Sequence, residues 1–287
     1  MSEYLFVPLD LSNEGIKKNA SFLGAVFSKP SLFVAELLHW QYVLNPCGKA
    51  IGYNAFTNSG ELAAHYAVQP FTATLNGKEI KAALSLNTST AKKHEGKKLF
   101  TTLANLTYNA AAEKGIELIV GVANSKSIYG LEKKLGFTNY GLLTVALGFN
   151  KPIQFSTDAT IGFQTKKSKE EVQWRLSHPL KQYVLFQKKD VLEVLSATGY
   201  WGIQIQMGLF NNVHLNNLVL ESKQNRSLLK LWMGLHPSIT NQPKGFLHVP
   251  LPLRPSPLYL SMKKLSTDIE LPKREEIFFQ ALDFDVY

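Results

Sequence analysis

The chain has 287 residues, 45% hydrophobic and 18% charged, a balance that excludes a disordered or fibrous protein and suits one large domain or two modest ones. Its single cysteine, Cys47, excludes an intrachain disulfide and a cysteine-based zinc site, and fits a reducing compartment. With 31 Lys and Arg against 22 Asp and Glu the net charge is +9, which favours anionic partners such as phosphorylated small molecules.

The first ten residues lack the basic start and long apolar core of a secretory leader. Residues 32–44, the most apolar stretch, are interrupted by Glu36, His39 and Gln41 and are too short to span a bilayer. A cytoplasmic protein without a membrane role is therefore expected. Basic stripes interleaved with aromatics, the mark of a nucleic-acid binder, are not evident. His178 and His236 each precede a proline and are not spaced to share a metal, so no metal is expected.

In chain order, residues 11–27 carry Ile16, Ala20, Leu23 and Phe27 at helical spacing and predict an amphipathic helix ended by Pro30. A second helix over 31–43 is closed by Asn45–Pro46. Strands follow at 50–56, 61–68 and 71–75, the last two separated by Pro70, and then at 80–90. Residues 99–114 predict a helix with Gly115 past its end. The apolar run 116–122 reads as a buried parallel strand. A helix over 125–135 and a strand over 137–149 complete the first half. Residues 151–170 hold few large apolar side chains and predict a boundary, giving domains at 1–150 and 151–287. Beyond it, strands are predicted at 183–187, 191–195 and 200–209, a helix at 227–235, and an extended or irregular stretch at 250–257, where four prolines fall. Trp40 before Pro46 and Trp174 before Pro179 form a weak internal echo, consistent with chance or with a degenerate second copy of one domain.

The chemistry concentrates in residues 85–100. A strand ends, a basic loop follows (Lys92, Lys93, His94, Glu95, Gly96, Lys97, Lys98), and a helix begins. The first amides of a helix lack intrahelical acceptors and its dipole favours anions, so this junction is suited to a pyrophosphate. Neither GxxxxGK[ST] nor GxGxxG is present, which argues against P-loop and Rossmann nucleotide sites.

This segment, followed by residues 115–124 and by Tyr129–Gly130–Leu131–Glu132–Lys133–Lys134–Leu135–Gly136–Phe137, resembles motifs A and B of the GNAT N-acetyltransferase superfamily. The Trp-x-Tyr-x-x-Asn-Pro stretch from Trp40 to Pro46, with a second half of this size, is most similar to the bacterial nucleotide-sugar N-acyltransferases. The resemblance implies an α/β (α+β) fold whose mixed central sheet has a splayed strand pair flanked by helices, with a second, degenerate GNAT-like half contributing to the acceptor pocket. It implies acyl-CoA as co-substrate, held by the backbone at Thr88 and Thr90, by Glu95, Gly96, Lys97, Lys98, Leu99 and Phe100 of the loop, and by Asn124. Glu95 and Lys98 depart from the family's usual loop, and Lys98 makes a positive φ costlier than glycine would. Glu132 stands where the family often has its tyrosine acid, which leaves Tyr129, one turn earlier, as the candidate.

The implied reaction is direct aminolysis: a neutral amine attacks the thioester and the CoA thiolate leaves. His65, with an unperturbed pKa of roughly 6.5, is the candidate base, against a plain hydrogen-bonded strand histidine. Asn87 is the candidate for orienting the acceptor. Trp40, Tyr42, Trp174 and Tyr183 are candidates for an aromatic substrate wall, although such residues are more often core. The family likeness points to a dTDP- or UDP-linked amino sugar as acceptor. Transfer to protein lysines or polyamines is a rival reading, but the first half shows no acidic cluster to receive them. A non-catalytic CoA-binding protein is a rival of another class.

Overall fold

The computed structural model describes residues 3–150, 153, 155, 159–188, 191–211, 227–239, 242–254 and 256–284. Lys151 and Pro152 of the expected boundary lie outside the described residues.

The chain opens with strand β1 (Tyr4–Pro8) and helices α1 (Asn13–Val26) and α2 (Ala35–Tyr42). Ser12 caps α1, accepting from the Gly15 amide. A meander follows: β2 (Ile51–Thr57), β3 (Leu62–Leu75) and β4 (Lys78–Thr90). Then come α3 (Leu99–Glu113) and β5 (Leu118–Asn124). The helix expected at 125–135 is present but shorter, over 128–135, and its middle, Gly130–Lys134, widens into a π-helical turn. The expected strand 137–149 divides at Leu143 into β6 (Thr138–Leu142) and β7 (Thr144–Phe149). The second half runs through β8 (Phe163–Lys166), α4 (Lys169–Leu176), β9 (Tyr183–Lys188), β10 (Val191–Ala197), β11 (Ile203–Asn211), β12 (Leu229–Leu235), β13 (Phe246–His248), β14 (Leu258–Lys264) and β15 (Ile277–Gln280).

Pro70 does not end a strand. One edge of β3 pairs with β4 from Ala64 to Leu75, while its other edge pairs with β2 up to Val68 and with β8 from Thr72 onward. The proline sits at the handover between those two partners, where a missing N–H costs the ladder least. The helix expected at 227–235 is the strand β12. Its leucines also fit a period of two, and β7 and β11 supply partners on both edges. Lys230, on this central strand, is fully buried and paired to Glu193 at 2.6 Å.

The two halves repeat one plan. β4 and β5 run parallel, and so do β11 and β12. Next to β5 the order is β5–β14–β6, and next to β12 it is β12–β7–β13. Each half thus lends a strand to the other. Residue 150 is accordingly not a break in the fold: a piece ending there would carry β7 without its partners and leave the far edge of β5 bare. Alternation along β4 and β5 directs Ala83 and Ile119 toward α3, and Ala82, Leu84, Leu118 and Val120 into a core shared with Val194, Ile205, Met262, Ile277 and Phe279 of the second half.

The internal echo is real in space. Trp40 and Trp174 occupy the sixth position of the eight-residue helices α2 and α4. Their rings stack at 4.6 Å and 18°. Each indole N–H donates to the other's main-chain carbonyl, at 2.8 and 3.0 Å. This is an isologous contact of the kind a two-fold axis produces.

Candidate active site

β4 and β5 pair only from Ala82 to Ser85 and from Leu118 to Gly121. β5 is paired with β14 along its whole length on its other edge, and past Ser85 and Gly121 the ends 86–90 and 122–124 part. Between them lies a crevice of about 420 Å³, lined by these strand ends and by Phe27, Phe100, Lys126, Ser127, Gly130 and Leu131. The splay has a local cause. Across β3 and β4, His65 faces Ser89 and Ala67 faces Leu86, so one residue of β3 opposes two of β4, a β-bulge at Asn87–Thr88. Asn87 takes φ +53 there, a left-handed conformation that asparagine tolerates better than most residues.

The bulge also sorts the side chains. Ser85 Oγ meets the Tyr66 hydroxyl at 2.7 Å, and Tyr66 meets Tyr108 of α3 at 2.6 Å. Asn87 points the other way, donating from Nδ2 to Gln41 Oε1 at 3.0 Å and to the Tyr42 hydroxyl at 2.9 Å on α2. Ser89 shares that face because it pairs with His65. Its Oγ is buried with no partner among the described residues.

Next to the crevice a second hollow of about 410 Å³ is lined by Thr90, His94, Glu95, Gly96, Lys98, Leu99, Phe100, Thr101 and Lys134. It sits at the N-terminus of α3. Gly96 has φ +79 and open space where a Cβ would stand. Lys98 takes φ +60 and caps α3 with no side-chain bond, so the first amides of the helix stay available to an anion. The departures at Glu95 and Lys98 thus leave the cradle intact: Lys98 adopts the positive φ, and Glu95 is exposed. Lys97 is turned outward toward Glu3, at 3.4 Å.

Other sequence candidates fall elsewhere. His65 lies beneath the crevice, fully buried. Its Nδ1 meets Asn54 Oδ1 at 2.8 Å and its Nε2 meets the Tyr42 hydroxyl at 2.8 Å. Asn54 Nδ2 in turn donates to Asn19 at 2.8 Å. Asn54 Oδ1 is therefore the acceptor, the histidine proton sits on Nδ1, and Nε2 accepts from Tyr42. Burial pushes the His65 pKa down to about 3, so the ring is neutral and its acceptor nitrogen is engaged. It is not positioned as a base toward a substrate. Tyr129 is 64% exposed and is not among the crevice-lining residues, because the π-helical turn carries it outward. Trp40 and Trp174 are buried against each other and Tyr42 is buried under Asn87. Tyr183 packs on the shared core. The four aromatics form no single wall. Asn124 stands at the crevice rim with its Oδ1 accepting from the Lys126 and Ser127 amides at 3.0 Å each, which fixes the turn there. Ser85, Ser89, Phe27, Lys126 and Ser127 were missed. The alternation of Ser85, Asn87 and Ser89 along β4, just past its apolar run 82–84, was the available signal.

Residues 9–138 match the family described as acetyltransferase (GNAT) domain. That segment, a little under half of the chain, is similar to a GNAT acetyltransferase domain. Solved structures similar to it include a probable N-acyltransferase from Enterococcus faecalis V583, with a TM-score of 0.61 at 9% identity over 92% of this chain and 73% of that one. Another is a GCN5-related N-acetyltransferase from Anabaena variabilis, at 0.59 and 12% over 91% and 73%. Eis1 from Mycobacterium abscessus is similar at 0.53 and 12% over 90% and 72%. These likenesses span both halves and establish the fold. No curated protein matches the chain in sequence. The match to a GNAT domain supports an acyl-CoA-dependent acyltransferase. No described helix is long and apolar enough to cross a membrane.

The second half repeats the splay but not the opening. β11 and β12 pair from Ile203 to Gln206 and from Leu229 to Trp232. Past that point Gly234 and Leu235 of β12 pair with Gln280 and Phe279 of β15. Gln280 Oε1 accepts from the Leu209 amide of β11 at 2.6 Å. The chain's own segment fills the space that the GNAT domain leaves open.

Proposed function

We propose that the chain moves an acyl group from acyl-CoA to the amino group of a small-molecule acceptor, by direct attack in the crevice between β4 and β5. The observation that carries this reading is the splay itself, with an open strand edge at 86–90 on one side and the uncapped α3 N-terminus beside it. In such a site the α3 amides, Lys98 and Lys134 would hold the phosphates, and the β4 edge would run alongside the pantetheine arm. When bound, acyl-CoA supplies an activated thioester. The backbone N–H groups at the bulge, left out of the ladder, are placed to stabilise negative charge developing on its carbonyl oxygen. Enclosure between Phe100 and Leu131 holds the two reactants together. A thiol with pKa near ~8.5 leaves without an obligatory acid.

As acceptor class we favour a nucleotide-linked amino sugar of the dTDP or UDP type. Its diphosphate suits a chain of net charge +9 and a crevice whose one charged lining residue among those described is Lys126. A polyamine or lysine side chain would meet no carboxylate among these lining residues. The test is incubation with acetyl-CoA and a panel of amino sugars, free and nucleotide-linked, following thiol release. Release above the hydrolytic background with nucleotide-linked sugars supports the reading, and release only with polyamines refutes it.

A further inference from the structure

We infer that Asn87 Oδ1 and Ser89 Oγ form the subsite that holds the acceptor nitrogen, and that this subsite takes the amine in its uncharged form. The inference rests on the acyltransferase reading above. Three observations carry it.

First, the Asn87 amide has a fixed sense. Both of its N–H bonds are spent on Gln41 Oε1 and the Tyr42 hydroxyl. Tyr42 can accept from Asn87 only by donating its own proton elsewhere, and it donates to the bare Nε2 of His65. The His65 Nδ1 proton goes to Asn54 and an Asn54 amide proton to Asn19. The chain runs in one direction, so the atom of Asn87 without a donor among the described residues is its carbonyl oxygen. Second, Asn87 and Ser89 both line the crevice and lie on the same face of β4, toward α2. Third, Ser89 is 7% exposed and its Oγ has no hydrogen-bond partner among the described residues. A buried hydroxyl left unpaired is destabilising, and that cost is recovered when a ligand supplies the partner.

A carbonyl oxygen and a hydroxyl are neutral acceptors. The titratable groups around them are Tyr42 from α2, His65 from β3 and Lys126 from the turn after β5, while β4, β5 and α3 contribute no charged group to the described lining. None of these compensates an ammonium, and Lys126 repels one. An ammonium stripped of water here would be unpaired, so the free base binds. The subsite therefore favours weakly basic amines. At pH 7 an amine of pKa about 8 is roughly one-tenth free base, whereas an amine near 10.4 is free base in only about one molecule in 2,500. In the transfer step the amine nitrogen bonds to the acyl carbon, the carbon–sulfur bond breaks, and its electron pair leaves on sulfur. One proton from nitrogen balances the resulting thiol.

The experiment uses the full chain, acetyl-CoA, and two probes, glucosamine and spermidine, with kcat/KM measured from pH 6 to 10. The expected result is a unit-slope rise that levels at each amine's own pKa, at different pH for the two probes. A common break for both amines near pH 6–7 would reveal a protein base and overturn the inference. Calorimetry supplies a second readout, with glucosamine titrated into protein saturated with CoA. Ser89→Ala and Asn87→Leu are expected to weaken amine binding about three-fold and at least ten-fold, while CoA affinity stays within two-fold. Unchanged amine binding in Ser89→Ala, the variant least able to disturb folding, overturns the subsite. Intact CoA binding with no transfer to any amine overturns the acyltransferase reading itself, and this inference with it.

Discussion

Removing the imidazole of His65 is expected to change how stability depends on acid. In the unfolded chain this histidine titrates near its ordinary 6.5, whereas burial holds the folded ring neutral down to about 3. Between those values the unfolded state binds a proton that the folded state refuses, so stability falls as pH is lowered through 6.5 and the loss ends near 3. The slope approaches about 1.4 kcal/mol per pH unit below the unfolded pKa, which gives roughly 2.3 kcal/mol between pH 6.5 and 4.5. His65→Gln keeps a donor and an acceptor without a titrating nitrogen. Carboxylates and His236, whose pKa burial lowers to about 4, contribute alike to both proteins, so the difference between the two curves isolates His65. Urea denaturation at half-unit pH steps from 7.5 to 4.5 provides the curves. The wild-type advantage should shrink by roughly 1.4 kcal/mol per unit below pH 6.5, and the variant can become the more stable protein near pH 4.5. Parallel curves would refute the neutral, buried ring and the directed hydrogen-bond chain built on it.

Trp174→Ala should cost about 3–5 kcal/mol, because it removes a large buried ring together with its stack on Trp40 and the guanidinium of Arg175 at 4.5 Å; chemical denaturation reads the loss. Gly234→Ala should destabilise by more than about 2 kcal/mol, since its Cβ would stand 2.2 Å from the Phe279 carbonyl oxygen; a shift in melting temperature checks it. CoA should bind with a stoichiometry of one per chain by calorimetry, because β15 fills the second crevice, and a value of two would contradict that. Lys98→Ala with Lys134→Ala should weaken CoA binding about ten-fold at low salt, with the difference shrinking as ionic strength rises. A fragment ending at residue 150 should fail to give a cooperative unfolding transition, since β5 would lack β14.

Much of the first half was legible because its signals are local. The helical spacing from Leu99 to Ala111, the apolar run through β5 and the basic loop between β4 and α3 each depend on residues close in sequence. So does the loop's ability to hold an anion, which follows from backbone geometry at any helix start. That Asn87 lines the crevice was readable as alternation in β4, although the bulge that sets its orientation was not.

What failed was non-local. His65 looked like a base by residue type, but its pKa and reach are set by α2 and by Asn54, neither visible from the strand that carries it. Residues 227–235 fit helical and strand periods equally, and the waiting edges of β7 and β11 decided for the strand. Two of the aromatic candidates, Trp40 and Trp174, became a helix-to-helix lock once α2 and α4 met. By itself the sequence determined most elements of the first half, though not β1, and the basic strand-to-helix junction, through spacing and backbone chemistry. Only the tertiary structure decided which strands complete which half, and which of two similar crevices stays open, because an unpaired strand edge accepts any segment that can reach it.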